Sequence, residues 1–289
     1  MKMPSGYCEL DTPVVRKIVR LALEEDIGSG DITTFAVVDP SRMAMGSVIA
    51  KEDGVLAGIP LAMMVLKEVD EQIEVSDYID DGTTIKTGTE VLKVKGKAIS
   101  LLQAERQLLN FVMRLSGIAT IARRFMEALG SSPVSLLDTR KTTPGLRALE
   151  KYAVRVGGGK NHRMGLYDGC LIKNNHLALC KDIKQTVRKA RAHAPMPFKV
   201  EVEVRTIEEA KRAIEAGADI LLLDHMSPDE VVKVVDLAAW KVQLEVSGNI
   251  TLDNIGQYAH TGVDFISVGA LTKSANWLDF SMSIVPMEE

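Results

Sequence analysis

From Pro133 onward the chain repeats one device: a short apolar run, a polar group where the run ends, and then a segment patterned as helix. The runs fall at 134–137, 170–172, 200–204, 220–223, 242–246 and 265–268, with helical patterning at 144–156, 207–216, 228–239 and 252–260. Such alternation predicts consecutive βα units and a parallel sheet. Glu203, Asp224, Ser247 and Gly269 recur at intervals of 21, 23 and 22 residues, the spacing of successive units. A closed β/α barrel needs about eight strands and gathers its chemistry at their carboxyl ends. Only six runs are visible, so the expected architecture is an open, incomplete barrel with its polar groups on one rim.

The residues before this region read differently. Thr12-Pro13 is a helix start, and Val14, Val15, Ile18, Leu21 and Leu23 supply an apolar stripe to about Glu25. The acids within Glu25-Asp26-Ile27-Gly28-Ser29-Gly30-Asp31 suit backbone capping better than metal binding. Residues 45–97 have short β-like runs between Gly, Asp and Thr turns, interrupted by an apolar helix at 61–69. Residues 99–129 predict a long helix broken near Gly117. The expected fold class is α/β. A small first domain covers 1–115, the open barrel covers 116–273, and the tail 274–289 returns to the first domain.

Charge narrows the function. The chain carries a net −4, which disfavours general binding to nucleic acid or acidic membranes. Yet residues 138–176 hold eight Lys or Arg against three Asp or Glu, a local excess suited to a small polyanion. Cys8, Cys170 and Cys180 form neither a disulfide framework nor a zinc motif, and the expected compartment is the reducing cytoplasm. Neither a secretion signal nor a membrane-length apolar run is present in the sequence.

Arg140, Lys141, His162, Arg163 and Lys173 follow the first two runs or sit in the glycine-flanked loop between them, so they are expected at one rim. Guanidinium groups grip carboxylate or phosphate through paired hydrogen bonds, and lysine adds a point charge. Ser247-Gly248-Asn249 and Gly269-Ala270 occupy the place where β/α barrels often bind phosphate. Gly157-Gly158-Gly159-Lys160 lacks the spacing of a nucleotide-binding P-loop. Glu203 and Asp224 are placed to hold a divalent metal carrying phosphates, to accept sugar hydroxyls, or to orient the neighbouring cations. Two further readings stay open on these residues: an aldolase-type barrel using Lys173 as Schiff-base nucleophile, and a sensor that keeps the anion pocket without turnover.

Asp138 to His176, with Glu201-Val202-Glu203, Leu223-Asp224, Ser247-Gly248-Asn249-Ile250 and Val268-Gly269-Ala270, resembles the quinolinate phosphoribosyltransferases. Glu25 to Thr33 and Ala104-Glu105-Arg106 extend the resemblance over nearly the whole chain. It implies an N-terminal α/β sandwich domain, an open β/α barrel, and a magnesium-dependent reaction of quinolinate with phosphoribosyl pyrophosphate. The implied products are nicotinate mononucleotide, pyrophosphate and carbon dioxide, as in de novo NAD biosynthesis. A related phosphoribosyltransferase for another acidic aromatic substrate is the nearest alternative.

By that resemblance Arg140, His162, Arg163 and Lys173 bind the two carboxylates of quinolinate. Lys141, Ser247, Gly248 and Gly269 contact the donor, with Thr139, Asn249, Val268 and Ala270 in the same binding segments. Glu203 and Asp224 lie near the ribose and Mg2+, and with Lys141 they form the implied catalytic set. The family works as a homodimer in which Arg106 enters the neighbouring subunit's site. The chain departs from the family's pattern at Asn174, where Asp is common, and at His225, where Asn is usual.

Overall fold

The structure is a computed structural model describing residues 4–180, 182–196 and 198–287. Its strands are β1 (Met43–Ala50), β2 (Gly54–Val55), β3 (Glu74–Tyr78), β4 (Thr84–Ile85), β5 (Glu90–Lys97), β6 (Ser135–Leu137), β7 (Cys170–Ile172), β8 (Val200–Val204), β9 (Ile220–Asp224), β10 (Gln243–Ser247), β11 (Phe265–Ser267) and β12 (Phe280–Pro286). The chain divides into two compact units. The first contains the described residues up to Arg123, the segment Thr143–Gly158 and the described residues from Ala275 onward; the second contains Arg124–Thr142 and Gly159–Ser274.

In the first unit an antiparallel sheet runs β12-β1-β5-β3, with a separate β2-β4 pair. The sequence motif at Thr12-Pro13 forms its helix as expected: Pro13–Ile27 starts with the Thr12 hydroxyl accepting the Val15 N–H. Asp31 likewise caps the helix Ile32–Val37 by accepting the Thr34 N–H, which settles its role as a turn former. The tail returns as β12, paired antiparallel with β1 from Ala44 opposite Pro286 to Ala50 opposite Phe280. Of the tail expected to return, residues 288–289 lie outside the described residues, as do 1–3 of the first domain.

The helix Ile59–Val69 buries every side chain from Ile59 to Leu66. Its N-terminal residue, Gly58, has no capping side chain, so Asp81 supplies the cap from a distance: its two oxygens accept the Gly58 and Ile59 N–H groups at 2.7 and 3.0 Å. The long helix is continuous over Ala98–Leu129, and the break expected at Gly117 does not occur. Gly117 serves close packing, because a Cβ there would overlap the Asn276 carbonyl oxygen. Helical backbone accommodates glycine at a cost of about 1 kcal/mol, which tertiary packing readily offsets.

The second unit is the expected parallel sheet of six strands, ordered β6-β11-β10-β9-β8-β7. Its two sequence-first strands, β6 and β7, are the opposite edges, so the barrel is open between them; an isolated bridge joins Leu137 to Lys160. Val202, Val204, Leu221, Leu223, Leu244 and Val246 are buried on one face of β8, β9 and β10. The two-residue strand period turns the intervening positions, Glu201, Glu203, Leu222, Asp224, Glu245 and Ser247, to the other face.

Helical patterning around β8 to β10 matches Ile207–Glu215 and Pro228–Ala238 closely, while the segment expected at 252–260 contributes only the turn Ile255–Tyr258. The helices Asn174–Cys180 and Ile183–His193 were not expected. The first of them buries no residue and so carries no apolar stripe to read. The helix expected at 144–156 forms over Arg147–Val156 and packs within the first unit, where Glu150 is fully buried and paired with Arg114 at 2.6 Å.

Candidate active site

At the carboxyl ends of the parallel strands lies a cavity of about 260 Å³, contained within the second unit. Thr139, Arg140, Lys141, His162, Arg163, Lys173 and Ser247 line it, together with Leu171, Leu222, Glu245 and Ser267. Arg140, Lys141, His162, Arg163 and Lys173, picked out in the sequence, therefore line one cavity. A larger cavity of about 610 Å³ in the first unit is also charged, but its Arg16 and Arg20 are already paired with Asp11 and Glu68.

Asp138, completely buried at the end of β6, organises the loop that faces this strand. It accepts the His162 backbone N–H at 3.0 Å and the Asn161 side-chain amide. Three residues further, Lys141 lies with its aliphatic chain over Gly269; a Cβ on Gly269 would approach Lys141 Cδ to 2.9 Å. The Lys141 N–H donates to the Thr139 hydroxyl at 3.1 Å and its carbonyl accepts the Thr272 hydroxyl at 2.8 Å. Its backbone is thus pinned at both ends.

Arg163 Nη1 donates to the Gly169 carbonyl at 2.8 Å, and the side chain lies across Gly169, whose Cβ would come within 3.1 Å of Arg163 Cβ. Nε and Nη2 have no hydrogen-bond partner among the described residues, which leaves the side-on edge of the guanidinium open to a carboxylate. Burial first, and the like charge of Arg140 second, hold Arg163 below its ordinary pKa. Like charge at this distance disfavours the second guanidinium, and an anion bound between them would lessen that repulsion.

Lys173 Nζ donates to Glu203 Oε2 at 3.1 Å, and the Asn174 N–H donates to Oε1 at 3.3 Å. Asp224 receives Arg205 through Nε at 3.1 Å and Nη2 at 3.0 Å, while His225 Nδ1 lies 2.9 Å from its other oxygen. Both positions that depart from the family's pattern therefore touch the two carboxylates. Asp224 stands opposite Ser247 in the β9-β10 register. His225 and Asn249 have left-handed φ values of 60° and 53°, and the His225 N–H donates to the Ser247 carbonyl at 2.9 Å. The Val268 N–H donates to the Leu137 carbonyl at 2.9 Å, and Ala270 opens the short helix Ala270–Lys273 behind Gly269. Arg106 is exposed on the long helix of the first unit.

Sequence reading passed over Glu245 and gave Glu201 no role. His162 Nε2 sits 3.2 Å from Glu201 Oε2 and 3.4 Å from Glu245 Oε2, with both glutamates buried. Burial disfavours the imidazolium, but the two carboxylates outweigh it and push the pKa up to about 10. Against that charge preference, Nδ1 accepts the Arg163 N–H at 2.8 Å, which requires a lone pair there. In either state Nε2 carries the proton that faces the glutamates, while the carboxylates and the Arg163 N–H make opposite demands on Nδ1. Burial, with Glu245 nearby, pushes the Glu201 carboxyl up. These three residues are also the one His/Cys/Asp/Glu cluster of metal-binding geometry among the described residues.

Sequence models fit the same two-part organisation. Residues 31–116 match the N-terminal domain of quinolinate phosphoribosyl transferase and residues 118–283 match its C-terminal domain. The chain belongs to this family. It is 40% identical over 275 residues to the probable nicotinate-nucleotide pyrophosphorylase [carboxylating] of Bacillus subtilis, covering 95% of each chain. To the nicotinate-nucleotide pyrophosphorylase [carboxylating] of Mycobacterium leprae it is 42% identical over 283 residues, covering 96% of this chain and 99% of the relative. The crystal structure of NadC from Streptococcus pyogenes superposes with a TM-score of 0.92 at 39% identity over the full length of both chains. Family membership supports the open barrel reading, and no helix among the described residues is long and apolar enough to cross a membrane.

Proposed function

We propose that this chain transfers the phosphoribosyl group of phosphoribosyl pyrophosphate to quinolinate and decarboxylates the product to nicotinate mononucleotide, releasing pyrophosphate and CO2. The convergence of Arg140, Arg163 and Lys173 on one 260 Å³ cavity carries this reading, since two carboxylates on a planar ring need cations from more than one direction. Lys141, which has no ion-pair partner among the described residues, serves the donor's phosphates with Ser247, Gly248 and Gly269. Holding two anionic substrates side by side offsets their repulsion and aligns them for attack. Lys173 acts as a charge contact: its ion pair with Glu203 suits an ammonium and works against a Schiff-base role.

Glu203 and Asp224 are hard oxygen donors of the type that suits Mg2+, but each already has a cationic partner in Lys173 or Arg205. That arrangement fits a metal brought in on the donor's phosphates better than a resident ion in a protein cage. Such an ion would neutralise charge on the departing pyrophosphate. The carboxylates themselves favour positive charge developing on the ribose. A cytoplasmic homodimer, with Arg106 of the partner subunit completing the cation set, fits this reading; support comes from apolar side chains the first unit exposes, including Ile32, Phe35 and Val37.

The test is chromatographic detection of nicotinate mononucleotide from purified protein given quinolinate and phosphoribosyl pyrophosphate, with and without Mg2+. Metal-dependent product is expected. Binding of both substrates without product would overturn the enzyme reading in favour of a sensor.

A further inference from the structure

Asp224 ends its strand with both carboxylate oxygens engaged. Oδ1 lies 2.9 Å from His225 Nδ1, and Oδ2 accepts Arg205 Nε at 3.1 Å and Nη2 at 3.0 Å. Strand register explains the second contact: Val204 stands opposite Leu223, so the residues that follow them, Arg205 and Asp224, fall side by side on the rim. The backbone of the arginine is anchored there, because its N–H donates to Glu209 Oε2 at 2.8 Å at the start of the helix Ile207–Glu215.

The two partners differ in what they need from water. The Asp224 side chain is 13% exposed and that of Arg205 is 54% exposed. A carboxylate so enclosed is costly without a cation, whereas a guanidinium half in solvent loses little by turning away. Both arginine N–H groups also address one oxygen instead of forking across two, which forgoes the strongest geometry a carboxylate offers. A metal ion on Oδ2 would meet these N–H groups as a like charge, so the two compete for the oxygen.

We propose that Arg205 is an exchangeable counter-ion of Asp224, a positioning residue that keeps the carboxylate neutralised, competes with free divalent cation for Oδ2, and yields it to a donor that arrives with its own metal. The donor's part in this inference rests on the phosphoribosyl-transfer reading, and the competition is measured apart from it.

Manganese binding to ligand-free protein, followed by electron paramagnetic resonance, tests the competition. Arg205→Gln should bind Mn2+ about five-fold more tightly than the unaltered protein, the strength of a half-exposed ion pair. Adding Asp224→Asn should cancel that gain. Arg205→Lys, which keeps a cation able to serve a single oxygen, should stay close to the unaltered protein. Equal Mn2+ affinity in Arg205→Gln, or a gain that survives Asp224→Asn, would overturn the proposal.

Calorimetry with phosphoribosyl pyrophosphate tests the exchange. With Mg2+, Arg205→Gln should bind the donor about five-fold more tightly. With the metal removed by a chelator it should bind the donor more weakly, because an uncompensated Asp224 repels the phosphates. Weaker binding in both conditions would make Arg205 a direct ligand of the donor, and unchanged binding in both would leave it a structural tie between β8 and β9; either result overturns the exchange. Should the unaltered protein fail to bind phosphoribosyl pyrophosphate, the functional reading falls, and the Mn2+ comparison decides the counter-ion by itself.

Discussion

Gly248 is placed where two physical demands coincide. Its φ of 97° is one that L side chains rarely adopt, and a Cβ there would stand 2.6 Å from His225 Nδ1 and 2.8 Å from the His225 backbone nitrogen. His225 is itself left-handed and contacts Asp224, so it has little room to yield. Gly248→Ala should therefore lower stability by about 1–3 kcal/mol and reduce kcat/KM, as checked by denaturant melts and steady-state rates. At this scale the cations were legible, because Arg140, Lys141, Arg163 and Lys173 stand in a local charge excess beside strand ends. Glu245 was not. It lies inside an apolar run, Leu244 to Val246, where a single acid reads as a sheet-surface residue until the strand period and the facing His162 are known. Glu201 was visible as part of the Glu-Val-Glu alternation, but its partner is a ring brought from a distant loop.

Elements whose signal is local matched the sequence well. β8 through β11 are short β-branched or leucine runs bounded by polar ends, and Thr12-Pro13 sets its helix start without outside help. The signal failed where a tertiary contact replaced the local one, as at Gly117, whose missing side chain admits the Asn276 carbonyl rather than ending the helix. Asp81 is another such case, capping the helix Ile59–Val69 from a loop. Burial raises its pKa from 3.8 to about 6, against the lowering effect of the Gly58 and Ile59 N–H groups and the Tyr152 hydroxyl. The folded state then binds this proton more tightly than the unfolded chain does. Its contribution to stability is full below about pH 4 and falls as pH rises to about 6, a loss of about 3 kcal/mol. Asp81→Asn should flatten that portion of the stability curve, measured by urea unfolding at pH 4, 5 and 6.

At the scale of the whole molecule, the division into a first unit and an open barrel follows from sequence texture, with antiparallel alternation before the long helix and βα repetition after it. What texture could not reveal is that Thr143–Gly158 leaves the barrel region to pack within the first unit, since its apolar helix pattern looks like any other crossover. Assembly is likewise a property of several chains. Under the proposed shared site, Arg106→Ala and Lys141→Ala are each inactive as pure proteins. A mixture shown to exchange subunits should regain part of the activity, because a hybrid dimer contains one intact site; exchange without recovery would contradict a shared site. The most direct measurement of the central claim is stoichiometric, using quinolinate labelled in its 2-carboxyl group with phosphoribosyl pyrophosphate and Mg2+. One equivalent of labelled CO2 should appear for each pyrophosphate and each nicotinate mononucleotide formed, whereas pyrophosphate release without labelled CO2 would contradict the account.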